Sequence, residues 1–216
     1  MRQITKGPEP PSLIAHRQTP LSNYQNYEEK DDLRHALITE QAGLCCYCMG
    51  RIHDGPTTMR IEHWQCRHFH SAEQLNYRNL LGACLGGGDQ PQQDQHCDRR
   101  KGDLDLQWNP ADPTHHVETR VRYELDGSIK SDEPEFDAQL NEVLNLNLPL
   151  LKNNRKGILS GIIEWWKHRK ARLQGPVPRL EFERKRDRCV AGDGQLSPYC
   201  QVEVWWIEQR LLKMER

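Results

Sequence analysis

Apolar residues recur at helical spacing over residues 27–41, where Leu33, Leu37 and Ile38 share a face and Gly43 follows as a stop. Residues 58–63 alternate instead, which predicts a strand ending near Glu62 and His63. Alternation returns at Val117, Thr119, Val121 and Tyr123. Asp126-Gly127 then offers a turn, so residues 117–130 read as a hairpin. Leu140, Val143, Leu144, Leu146 and Leu148 lead to Pro149, a helix break or start. Beyond it Leu150, Leu151, Ile158, Leu159, Ile162, Ile163, Trp165 and Trp166 form an apolar stripe, and residues 135–173 are expected to be helical. Residues 174–178 read as a linker, followed by a tail that ends in Val202, Val204, Trp205, Trp206, Ile207 and Leu211. At the other end Pro8, Pro10, Pro11 and Pro20 forbid a continuous helix, so residues 1–26 read as an extended arm packed over the domain or against a partner, or else as a loosely ordered tail. The Gly- and Gln-rich residues 85–96 read as a loop.

Composition changes this picture in three ways. The chain has 216 residues, 36% hydrophobic and 28% charged, which is a globular composition with length enough for a real core. No apolar run nears the ~18 residues of a membrane span. The first residues also lack the apolar stretch of a secretion signal. The expectation is a cytoplasmic protein with no membrane contact, whose eight cysteines serve as metal ligands in preference to disulfides. Formal net charge is −1, which argues against tight unaided binding to DNA and leaves room for a partner that supplies part of the grip.

Cys45 and Cys48 have the spacing of a zinc knuckle. Zn²⁺ in a structural site takes four ligands in a tetrahedron, so two more donors are needed. Cys84 and Cys97 are the candidates, with His96 as the substitute should Cys97 face elsewhere. Such an ion would contribute folding free energy to a small unit with little core of its own. Cys46, Cys66, Cys189 and Cys200 show no ligand pattern and read as ordinary thiols.

The order of motifs is CxxC at Cys45, then Arg60-Ile61-Glu62-His63, then Asn79-Leu80, then Cys84, then Cys97-Asp98-Arg99-Arg100-Lys101. This order resembles an HNH endonuclease of the cysteine-bearing kind. The resemblance implies an α+β fold with a ββα-metal (treble-clef) nuclease unit. It further implies phosphodiester hydrolysis with a histidine base and a divalent cation. Carried over by residue, His63 is the base, Glu62 the acidic residue before it, and Asn79 the positioning asparagine. Asp98 takes the third position, where His or Asn is commoner, and Lys101 lies one turn on, able to touch the phosphate. Glu62 and Asp98 are hard oxygen donors, which suit Mg²⁺ or Mn²⁺ better than zinc. Where many members carry a proline after the histidine, this chain has Trp64-Gln65-Cys66.

Several segments resemble the PtuB-type nucleases of the Septu and retron anti-phage systems: Gln41 to Cys48, Tyr77-Arg78-Asn79-Leu80-Leu81, His96 to Gly102, and Leu144-Asn145-Leu146-Asn147. This implies a defence effector that acts on nucleic acid together with a PtuA-like ABC-type ATPase. A retron reverse transcriptase and its small DNA/RNA could control it. The expected organisation is an arm and helix at 1–43, the nuclease unit with zinc site and accessory hairpin at 44–134, and a helical, partner-binding region at 135–216. Trp165, Trp166, Trp205 and Trp206 mark that region as a contact surface, or else as its own core. Two alternatives stay open: an RNA-cleaving effector, and an inactive zinc-stabilised module that binds nucleic acid or protein.

Overall fold

A computed structural model describes residues 1–191 and 194–215 of the chain. It is an α+β structure, mostly helical, with two small antiparallel sheets. Among the described residues no helix is long and apolar enough to cross a membrane.

Residues 1–10 form no regular structure, but Met1 and Ile4 are buried and Ile4 N–H donates to the Pro110 carbonyl at 2.8 Å. The extended arm expected over residues 1–26 stops at Pro10. Pro11 starts helix α1, Pro11–Arg17, because a proline at the first helical position loses no hydrogen bond. Helix α2, Lys30–Glu40, begins later than the pattern predicts, with Asp31 and Asp32 in its first turn complementing the helix dipole. Leu33 and Leu37 lie one turn apart and are buried, and Gly43 N–H closes the C-terminus on the Ile38 carbonyl at 2.9 Å.

Strand β1, Arg60–His63, pairs antiparallel with β2, Leu80–Ala83, with His63 opposite Leu80 and Glu62 opposite Leu81. The ladder runs one step further, since Trp64 N–H donates to the Asn79 carbonyl. Helix α3, Cys97–Lys101, follows a loop. The accessory hairpin is shorter than expected. Only β3, Arg122–Tyr123, and β4, Ile129–Lys130, pair, around the turn at Asp126 and Gly127. Val117 is buried but lies in a turn region, not a strand.

Helix α4, Pro134–Ala138, runs into a π-helical turn, Gln139–Val143. The 144–147 segment then braces its surroundings. Asn145 Nδ2 donates to the Gln93 and Gln95 carbonyls, and Asn147 bonds both backbone groups of Ile129. Pro149 does start the next helix, α5, Pro149–Leu173. Helices α6, Arg179–Val190, and α7, Cys200–Met214, complete a helical layer against it. The four tryptophans knit this layer together. Trp166 meets Trp206 edge-on at 6.2 Å, Trp165 meets Phe182 at 5.7 Å, and Trp205 meets Tyr123 of β3 at 5.6 Å. One hydrophobic core runs from Met1 and Leu37 through Tyr47 and Leu80 to Phe136, Leu159 and Ile207.

Candidate functional site

The knuckle is a tight turn. Cys45 N–H donates to the Gly50 carbonyl and Met49 N–H to the Cys45 carbonyl, which turns both thiols inward. Cys84 follows β2 directly, and Cys97 opens α3. Gly86 makes this closure possible: at φ +63° a Cβ there would sit 2.2 Å from the His96 carbonyl oxygen. The Sγ atoms of Cys45, Cys48, Cys84 and Cys97 all lie within 4.8 Å of one another. Cys45 and Cys97 are 3.9 Å apart, and Cys48 and Cys84 are 3.8 Å apart. A tetrahedron with Zn–S bonds of about 2.3 Å has edges of roughly 3.8 Å, so these four residues can hold a metal such as zinc.

His96 is not the fourth donor. Its Nδ1 lies 3.1 Å from Cys97 Sγ, where it braces the ligand, as Gly50 N–H does for Cys48 Sγ at 3.3 Å. Burial pushes the Cys97 thiol up, and the neighbouring thiols add to that. Burial also raises Cys45, but the surrounding thiol donors outweigh it and hold Cys45 well below the usual range. A cluster that already favours one thiolate suits a cation.

The same segments build a second, oxygen-rich cluster. Glu62, only 2% exposed, points from β1 beneath α3. Tyr47, inside the knuckle, donates its hydroxyl to Glu62 Oε1 at 2.6 Å, and Lys101 Nζ pairs with the same oxygen at 3.0 Å. Burial, and the neighbouring Asp98 carboxyl, hold the Glu62 carboxyl well above the usual range. Asp98 goes the other way. Burial alone would raise it, but the neighbouring Glu62 and an ion pair with Arg60 bring it below the ordinary value. Two adjacent carboxyls pushed apart in this way hold one proton between them and repel when both ionise, which a divalent cation relieves. Tyr47 and Lys101 both engage the same Glu62 oxygen.

Lys101 lies elsewhere than its helix position suggests. Its side chain is fully buried and also donates to the His63 carbonyl at 3.1 Å, so it faces the cluster and not an approaching phosphate. α3 is only five residues long and is pressed onto β1, so its last residue points inward.

His63 is 6% exposed. Its Nε2 lies 3.1 Å from the Gln74 carbonyl oxygen. A carbonyl can only accept, so Nε2 carries the hydrogen and Nδ1 keeps the lone pair. Burial lowers the imidazole to about 4, against the Gln74 bond, so the ring is neutral near pH 7. Tyr24 covers it edge-on at 4.5 Å. The Asn79 side chain bonds Gln65 and Glu73, not Glu62 or the imidazole. It spans the loop after β1, accepting from Gln65 N–H at 2.7 Å and donating to the Gln65 and Glu73 carbonyls at 3.0 Å each. Gln74, the partner of His63, is the next residue.

Glu62, His63 and Asp98 line one cleft of about 200 Å³, bordered by Arg60, Arg67 and Arg99. The structure therefore brings together His63, Glu62, Asp98 and, underneath, Lys101, with Asn79 one loop away. Tyr47, Gln74 and the cleft arginines Arg60 and Arg67 were not singled out from the sequence. Tyr47 stands between two knuckle cysteines, and an aromatic residue there was the one available signal. Gln74 acts through its backbone, which leaves no trace in residue type. No protein-family model matches this chain, and no curated protein matches it.

Proposed function

We propose that the chain is an HNH endonuclease. In this reading β1, β2 and α3 form a ββα-metal unit that hydrolyses phosphodiester bonds in nucleic acid. The observation that carries the reading is a neutral histidine with a fixed tautomer, held by a backbone carbonyl beside the buried Glu62 and the half-buried Asp98 in an arginine-bordered cleft. His63 Nδ1 takes a proton from water, whose oxygen attacks phosphorus as the bond to the leaving oxygen breaks. The Gln74 carbonyl keeps the imidazole in the tautomer this requires. Glu62 and Asp98 would hold a Mg²⁺ or Mn²⁺ ion, which supplies neutralisation of charge on the phosphate and leaving oxygen. Arg60, Arg67 and Arg99 attract the phosphate backbone.

The motif resemblance extends the proposal to a defence effector that works with a PtuA-like ATPase, under a retron's control where one is present. The near-zero net charge supports a dependence on that partner for substrate grip. A second reading, an inactive zinc-stabilised binding module, is favoured by one observation: Lys101 already neutralises Glu62 without a metal.

A nicking assay with Mg²⁺ or Mn²⁺, on DNA and RNA, with and without the ATPase, separates the two. His63→Ala should lower cleavage ~10²–10⁴-fold, leaving zinc content and the circular dichroism spectrum unchanged. Cleavage at the wild-type rate by His63→Ala would remove His63 as the base. No metal-dependent cleavage in any preparation would favour the binding module.

A further inference from the structure

The C-terminal ends of α5 and α7 flank a groove of about 210 Å³. Its walls are mostly apolar: Trp166 from α5, Val177 from the following linker, Phe182 from α6 and Met214 from α7. Three cations stand on its rim, Lys170, Arg210 and Lys213.

The charges around it are unbalanced. The nearby carboxylates are already matched: Glu181 with Arg169 at 2.6 Å, Glu183 with Arg179 at 2.7 Å, and Glu215 with Arg179 at 2.9 Å. Lys170, Arg210 and Lys213 have no carboxylate partner among the described residues. Arg210 instead lies over the Trp166 and Trp206 rings at 4.6 and 4.8 Å, and Lys170 lies over Trp166 at 5.8 Å. Unpaired cations gathered around an apolar slot complement a ligand that is both acidic and apolar.

We propose that this groove binds an acidic segment of a partner protein. One bulky apolar side chain seats against Val177 and Phe182, and carboxylates on either side of it meet Lys170, Arg210 and Lys213. A volume of this size suits a single leucine- or phenylalanine-like side chain. Nucleic acid fits less well. Single strands are gripped by stacking bases on open aromatic faces, and here the cations of the chain itself lie over the Trp166 ring. The inference does not depend on the nuclease reading, since the groove lies on the helical layer and shares no residue with the cleft around His63.

The test is a selection from a displayed library of short peptides with Leu, Phe or Met fixed at the centre and random flanks, using the full chain as bait. The enriched sequences should carry Asp or Glu on both flanks. The best one, made as a fluorescent peptide, should bind at least about tenfold more weakly to Lys170→Glu/Lys213→Glu, and should weaken as salt is raised. Both lysines are exposed, so the fold should survive. Should the double reversal unfold, Lys170→Gln/Lys213→Gln replaces it. A labelled single-stranded oligonucleotide is measured alongside. The proposal falls if nothing is enriched, if the enriched flanks are not acidic, or if the double variant binds the peptide as well as the wild type. It also falls if the oligonucleotide binds this rim more tightly than the best peptide.

Discussion

Replacing Asn79 by alanine tests how the loop beside His63 is held. The asparagine is 4% exposed and makes three bonds across the loop: Oδ1 from Gln65 N–H, and Nδ2 to the Gln65 and Glu73 carbonyls. A net contribution of about 1 kcal/mol for each intramolecular bond gives roughly 3 kcal/mol. Gln65 and Glu73 are only half-buried, so water recovers part of this, and the expected loss is about 2–3 kcal/mol. Urea unfolding of the zinc-loaded chain, with equal slopes for both proteins, measures it. Asn79→Asp sharpens the test. It keeps the Oδ1 acceptor but turns the donor toward two carbonyls into a second oxygen, so it should be at least as damaging as alanine. Metal-dependent cleavage should fall by more than the folded fraction, because the Gln74 carbonyl that orients His63 sits at the end of the released loop. An alanine variant that loses less than about 1 kcal/mol, or an Asp variant as stable as wild type at neutral pH, would refute the idea that these amide bonds hold the loop.

Two further outcomes follow from the geometry. Elemental analysis should find about one zinc per chain, from four thiolates on one ion. Cys45→Ser or Cys84→Ser should lose it, and full zinc in both variants would exclude the thiol centre. Gly127→Ala should cost about 2–4 kcal/mol, since Gly127 has φ +86° and a Cβ would sit 2.0 Å from the Lys152 carbonyl oxygen. A wild-type thermal midpoint for that variant would show that the hairpin can shift off α5 at little cost.

The parts of the fold and site that were legible from sequence are those where a single residue type forces a local geometry. The knuckle cysteines and Pro149 at the start of α5 are of this kind, whereas β1 forms where the pattern placed a strand although its burial does not alternate. β2 was not legible, because Leu80, Leu81, Gly82 and Ala83 are all buried and so show no period of two. Val117 and Thr119 misled in the opposite sense: they alternate in sequence but lie in turns, and Val117 is buried by tertiary packing alone. Lys101 sits beside Arg99 and Arg100, and nothing in that basic run distinguishes the one cation that turns inward to Glu62. The four tryptophans could have meant a contact surface or a core. The ring pairs show Trp165, Trp166 and Trp206 packing within the helical layer, while Trp205 packs against Tyr123 of β3.

The thiol cluster and the carboxylate cluster are made from the same short pieces of chain, and this has a consequence for zinc removal. Tyr47, which bonds Glu62, lies between ligands Cys45 and Cys48. Asp98 and Lys101, which bracket Glu62, lie in the single helix that Cys97 opens. α3 has five residues, too few to persist without tertiary support, so its position rests on the metal centre, on the Cys97 N–H bond to the Leu144 carbonyl at 2.9 Å, and on the Asp98 and Lys101 side-chain bonds to β1. Stripping the metal should therefore release Tyr47, Asp98 and Lys101 together while β1 and β2 stay paired through their own ladder. Glu62 would then be buried on β1 without its Tyr47 and Lys101 partners, an unfavourable state that drives water into the cluster. Amide exchange on chelator-treated protein should show faster exchange at residues 97–101 and at the knuckle, with residues 60–63 and 80–83 retaining most of their protection. The global unfolding midpoint should fall at the same time. Protection at 97–101 that survives full metal loss would show that helix packing alone positions α3, and that the thiol centre has no part in shaping the cleft around His63.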